Sequence, residues 1–187
     1  MRKQTITMPN TARLLTADEL ERMPECAHGY ELVDGRLIRM SPVGYDHGRV
    51  VMGFGAMLHN HAKARGLGDV LTELGCKLTR NPDTVRAPDI AFIRHARTTA
   101  ATRGFWNGAP DLVVEVLSPE DRLSDVRDTV REYLTHGVIA VLVVDPHTKT
   151  VAIHRRLTLP VTLQAGDELD LDDIVDGFRC GVGEIFE

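Results

Sequence analysis

Two short apolar runs stand out in the middle of the chain, VRAPDIAFI (Val85 to Ile93) and PDLVVEVLSP (Pro110 to Pro119). Both are rich in Val, Ile and Phe and have the length of a strand, so each is expected to be one. A third run, IAVLVVD (Ile139 to Asp145), is apolar at every position before its Asp. That pattern suits a strand covered on both faces, in the middle of a sheet. PHTK then turns it into VAIHRR. YELV and RLIRM flank Asp34-Gly35, a strong two-residue hairpin signal. The turn sets Glu31 across from Ile38 and on the face of Val33. DVLTELGCKLT (Asp69 to Thr79) reads as one or two strands, and NPDT as a turn. The tail holds further short strands, with DELDLDDIVD (Asp167 to Asp176) expected as a solvated connection.

Helical spacing appears in three places. LTADELERM begins with Thr16 three positions before Glu19, the pattern of a capping box. Tyr45 to Gly66 carries Val51, Phe54, Leu58 and His61 on one stripe, with His47 at its head. Arg122 to His136 carries Leu123, Val126, Val130, Tyr133 and Leu134, and Gly137 suits the position just past a helix end. Residues 94–109 read as a loop with a short helix around Trp106, bordering a groove or packing on the scaffold. The organisation expected is a flexible lead-in over residues 1–13 and one domain over residues 14–187.

Composition narrows the class without naming a function. A hydrophobic content of 43% and a charged content of 26% are those of a soluble globular chain. No apolar run reaches the length of a membrane span, and MRKQTITMPN lacks the apolar core of a secretory signal. Cys26, Cys76 and Cys180 are odd in number and far apart, which argues for a reducing, cytoplasmic setting and against a zinc site built from cysteines. The formal charge of −5 counts against a protein that coats nucleic acid indiscriminately, yet leaves room for a local basic groove.

Candidate chemistry lies in the carboxylates. Asp89 and Glu115 each sit alone in an oily strand, where a charge is costly unless it is paired or ligates a metal. Two such strands side by side suggest a site for a hard divalent cation. The plainer readings are that Asp89 faces water, that Glu115 meets an Arg, and that Glu31 pairs with an Arg at a sheet edge. His59 and His61 are two residues apart, which puts them on different sides of a helix and speaks against a metal pair.

Taken in order, YELVDG, RAPDIAFI, DLVVEVLSP, VREYLTHGV and VLVVDP resemble the Uma2 family, within the PD-(D/E)XK nuclease superfamily. The resemblance implies an α/β, restriction-endonuclease-like fold: a central mixed β-sheet flanked by helices. It implies a divalent-metal-dependent nuclease acting on phosphodiester bonds, with DNA as the expected partner. Mg²⁺ or Mn²⁺ would be held by Asp89, Glu115 and the carbonyl of Val116, with Glu31 completing the acidic cluster. His47 lies where similar proteins carry a His and is a further catalytic candidate. A homodimer is expected by analogy with nucleases of this fold that pair to cut two strands.

The sequence departs from the resembled pattern at one point. The lysine usual two positions after the second carboxylate is Leu117, and the alternative position on the following helix is Thr129. Arg122, one edge of the helical stripe, is the substitute of first choice, with Arg127 and Lys77 behind it. An Arg orients phosphate but stays protonated, so it is a poor general base. The alternative reading is therefore a catalytically inactive member of the fold that binds nucleic acid or protein. A hydrolase of small phosphoesters is the third.

Overall fold

The computed structural model describes residues 4–5, 13–23, 29–98 and 104–187. Most of the expected lead-in, Cys26 and part of the loop before Trp106 lie outside the described residues. In chain order the elements are β1 (Gln4–Thr5), α1 (Ala17–Glu21), β2 (Tyr30–Val33), β3 (Arg36–Arg39), α2 (Tyr45–Arg65), β4 (Gly68–Leu71) and β5 (Cys76–Thr79). They continue with β6 (Thr84–Arg86), β7 (Ile90–Arg94), α3 (His95–Thr98), β8 (Trp106–Asn107), β9 (Leu112–Val116) and α4 (Leu123–Thr135). The chain ends in β10 (Ala140–Asp145), β11 (Thr150–Arg155), β12 (Val161–Leu163), β13 (Glu168–Asp170), β14 (Arg179–Gly181) and a 3-10 turn, Val182–Phe186.

These strands form two six-stranded sheets and a small ribbon. The first sheet has the order β1-β3-β2-β6-β5-β8 and the second β12-β11-β10-β9-β7-β4, while β13 pairs with β14. The second sheet is mixed: β9 and β10 run parallel, and its other pairs are antiparallel. A parallel pair needs a long crossover, and α4 supplies it.

Alternation along the strands decides which layer covers which face. Ile90, Phe92, Leu112, Val114, Val116, Ala140, Leu142 and Val144 point into a large core with Val50, Phe54 and Leu58 of α2. Val113, Val141 and Val143 point the other way, against Val130 and Tyr133 of α4. The second sheet thus has a helix on each face, as expected for a strand as oily as β10. A third, smaller cluster joins Ala17 and Leu20 of α1 to Leu32 and Val85 of the first sheet.

Local signals in the sequence have visible counterparts. Thr16 caps α1 and Glu19 completes the capping box. Asp34 and Gly35 both take positive φ, 48° and 73°, as a tight hairpin turn of this kind requires, and Glu31 pairs with Ile38.

Three expectations need correction. VRAPDIAFI is two strands in two sheets, because Pro88 has no N–H to offer a ladder and the chain changes sheet there. Leu123 is 66% exposed, and burial along α4 begins only at Val126, while on α2 Val50 is buried deeper than Val51. The acidic run DELDLDDIVD is not a mere connection. Its carboxylates face water, but Leu169, Leu171, Ile174 and Val175 close the main core. Leu169→Ala is accordingly expected to destabilise the protein by about 2–5 kcal/mol. The exposed Asp176→Asn is expected to change stability by less than about 0.5 kcal/mol. Urea denaturation of the two variants checks this, and a near-neutral Leu169→Ala would contradict the closing role of the run.

Candidate metal and active site

The change of sheet at Pro88 delivers Asp89 to the first position beyond the break. In β7 and β9, Ile90 pairs with Val114 and Ala91 with Val113. Continuing that antiparallel register by one step puts Asp89 opposite Glu115. Glu115 lies two positions beyond Val113 and so shares its face, the one covered by α4, and Asp89 lines the same cleft as Glu115.

Asp89 is held firmly. Its Oδ2 accepts from the Val116 backbone N–H at 2.7 Å and from His47 Nε2 at 3.1 Å. A carboxylate only accepts, so Nε2 of His47 carries the donated proton. His47 sits in the first turn of α2 and is 5% exposed, and its Nδ1 has no hydrogen-bond partner among the described residues.

Glu31 has a different environment. It is 2% exposed, its Oε2 accepts from Arg86 Nη1 at 2.7 Å, and its Oε1 accepts from the Ala87 N–H at 3.1 Å. Arg86 Nε also donates to Glu132 of α4 at 2.5 Å. Arg86 thus ties the first sheet to α4. Its own burial works against the guanidinium charge, but Glu31 and Glu132 outweigh burial and raise its pKa. The plainer reading of Glu31, an ion pair with an Arg, describes this contact, although Arg86 lies on the neighbouring central strand rather than at an edge.

A cleft opens between the strands and α4. Glu31, Asp89 and Glu115 line it, together with Asp121 and Asp125 at the start of α4, and among the described residues its lining contains no Lys or Arg. Leu117 and Thr129 also line it. Thr129 is 7% exposed. Tyr133 lies one turn further along α4, fully buried, and its hydroxyl has no hydrogen-bond partner among the described residues. Burial first, then the charges of Glu115 and Glu31, push the Tyr133 phenol well above its ordinary range.

The cationic candidates lie elsewhere. Arg122 is the exposed N-cap residue of α4 and does not line the cleft. Lys77 is bound to Asp18 at 3.2 Å and Glu21 at 2.9 Å. Burial lowers the pKa of Lys77, but the bonds to Glu21 and Asp18 outweigh it and raise the net value. Arg127 faces a separate groove. Among the described residues, no three His, Cys, Asp or Glu side chains are grouped to hold a metal ion by themselves.

Arg86, Glu132, Asp121 and Asp125 were not singled out from the sequence. The signal for Arg86 was present, since a charge in VRAPD beside a lone Asp invites the same question as the Asp. Glu132 had no signal of its own, because one acid on a polar helix face looks like any other.

A family model described as "Putative restriction endonuclease" matches residues 17–183. The chain belongs to the Uma2 family. Among curated proteins there is no match. A solved structure of similar shape is described as that of "a putative nuclease belonging to DUF820" from Anabaena variabilis ATCC 29413. It superposes with a TM-score of 0.80 at 20% sequence identity, over 92% of this chain and 97% of the other. At that identity the likeness establishes the fold, which is the restriction-endonuclease-like one expected. Among the described residues of this Uma2 protein, no helix is long and apolar enough to cross a membrane.

The buried ion pair makes a sharp prediction. Arg86→Met strands Glu31 in the interior and is expected to cost about 3–5 kcal/mol. The double variant Glu31→Gln with Arg86→Met removes the stranded charge and is expected to recover part of that loss. Chemical denaturation of wild type and both variants decides it: a double variant no more stable than Arg86→Met would show that the stranded charge is not what destabilises.

Proposed function

We propose that this Uma2 protein is a nuclease that hydrolyses phosphodiester bonds in DNA with the help of Mg²⁺ or Mn²⁺. The observation that carries the reading is that Asp89 and Glu115 line one acid-rich cleft, with Asp89 bonded to the backbone N–H of the residue after Glu115. The donor set suits a hard cation. Mg²⁺ takes one or two protein carboxylates and completes its shell with water and substrate oxygens, so a site without three preassembled ligands fits it well.

In this reading Asp89, Glu115 and the Val116 carbonyl hold the ion. When bound, the ion supplies the positive charge that activates water and offsets the charge gathering at phosphorus. The Val116 N–H and His47 fix Asp89 through Oδ2, which leaves Oδ1 for the cation. Each oxygen of Glu31 accepts one hydrogen bond, from Arg86 and from the Ala87 N–H, so in this reading Glu31 would join the ligand set through its remaining lone pairs. Otherwise it acts by anchoring Arg86 behind the cleft. Arg122, at the exposed start of α4, would in this reading meet an incoming phosphate rather than the reacting atoms.

Leu117 and Thr129 favour a second reading, a member of the fold that binds without cutting. Nicking of supercoiled plasmid separates the two. Wild type is expected to nick with Mg²⁺ or Mn²⁺ and not with chelator, and Asp89→Ala is expected to abolish nicking. Metal at a hundred times its Kd is expected to stabilise the wild-type fold by about 2.7 kcal/mol and to leave Asp89→Ala unshifted. If wild type is inactive yet metal still raises its melting temperature, Thr129→Lys becomes the informative variant. It brings an ammonium into the cleft, and metal-dependent cleavage gained there would mark a decayed nuclease. An inactive wild type whose melt ignores metal would hand the protein to the binding reading.

A further inference from the structure

A second groove lies on the other side of α4. One wall is Arg127 and Arg131 of α4, and the other is His154, Arg155 and Arg156, where β11 leaves the sheet. Among the described residues its lining contains four arginines and no Asp or Glu. The cleft described above is the reverse, with five carboxylates and no Lys or Arg. One helix therefore divides an acidic lining from a basic one, in a chain whose overall charge is −5.

Arginines in the groove are held in different ways. Arg155 is locked by Asp173 through two bonds of 2.6 and 2.9 Å. Arg131 meets Asp128 at 3.1 Å. Neither carboxylate belongs to the lining. Arg127 and Arg156 have no ion-pair partner within reach among the described residues, so their forks are available to another anion.

We propose that this groove is where the sugar-phosphate backbone of duplex DNA docks. The identity of the polyanion rests on the nuclease reading above. The charge pattern and the geometry carry the rest. A guanidinium fork matches the oxygens of a phosphate, and a net-acidic protein that binds a polyanion needs such a local basic surface. Distance also fits. A helix with its side chains is about 10–12 Å across, which spans about three phosphates along one strand. Arg127 and Val130 line the groove while Asp125 and Thr129 line the cleft, so a strand lying on the arginines reaches the acidic cleft within a few nucleotides. Leu157 and Leu159, 97% and 88% exposed, flank the groove and present the competing occupant, a second copy of the chain.

Anisotropy of a short labelled duplex, titrated with full-length protein in chelator across a salt series, tests this without any cleavage. Arg127→Gln with Arg156→Gln is expected to weaken binding roughly tenfold, irrespective of sequence, and to lower the slope of log Kd against log salt by about 2. Arg65→Gln with Arg179→Gln removes the same charge from exposed sites elsewhere and is expected to leave Kd unchanged. Equal loss in both pairs, no duplex binding by wild type, or a clear preference for single-stranded RNA would each overturn the proposal. So would sedimentation showing a wild-type dimer that only the groove variant dissolves. Tight, groove-dependent duplex binding by a protein that does not cut with Mn²⁺ would support the groove while overturning the nuclease reading.

Discussion

Pro88 imposes a constraint on which much of the architecture depends. A proline in the middle of a strand leaves one rung of the ladder without a donor, so the run VRAPDIAFI cannot stay in a single sheet. The chain leaves the first sheet at Arg86 and enters the second at Ile90. Only three residues join them, so the two sheets meet at this point. The break has chemical consequences on both sides. Arg86 reaches Glu31 within the first sheet, the freed Ala87 N–H bonds the same carboxylate, and Asp89 bonds the Val116 N–H of the second. A continuous strand would have put Arg86 and Asp89 into one ladder, on opposite faces of one sheet.

Electrostatics then separates two carboxylates that look alike. Glu31 is enclosed and answered inside the protein by a guanidinium and a backbone donor. Removing either member of such a pair leaves an unanswered buried charge, which explains why the pair is worth more as a constraint than as a source of stability. Asp89 is answered by one N–H and one imidazole, both on the same oxygen. Glu115 shares its cleft with further acids and no basic lining residue. The first arrangement is enclosed, and the second lines the cleft. Arg86 couples them mechanically, because its other bond, to Glu132, pins α4 over the cleft.

Much of this was legible in the sequence, for identifiable reasons. Local rules act over a few residues, so the capping box at Thr16, the turn at Asp34-Gly35 and the register of Glu31 against Ile38 followed directly from short patterns. The burial of β10 on both faces followed from its unbroken apolar run. What stayed hidden depends on distance in the chain. No local pattern says that Glu132 meets Arg86, a contact across 46 residues. None says that the leucines of DELDLDDIVD finish a core begun by α2, since acids at alternate positions mask a buried face. The split of VRAPDIAFI was the readable one: its proline argued against a single central strand on the same rule that identified the run as a strand.

The positions without lysine acquire a physical meaning from this arrangement. A lysine at position 129 would stand on α4 within a turn of Glu132, whose carboxylate is already committed to Arg86, and of Tyr133, whose buried hydroxyl has no partner. The four-carbon stem would have to pass a site that is 7% exposed in order to reach the carboxylates of the cleft. Thr129 fits that space without carrying a charge into it. Arg86, bonded to Glu31 of the cleft lining, is buried, fixed from two sides and permanently charged. Such a group biases the local field but cannot take a proton from water. On the nuclease reading proposed above, hydrolysis in this cleft would draw its activating charge from an ion held by Asp89 and Glu115.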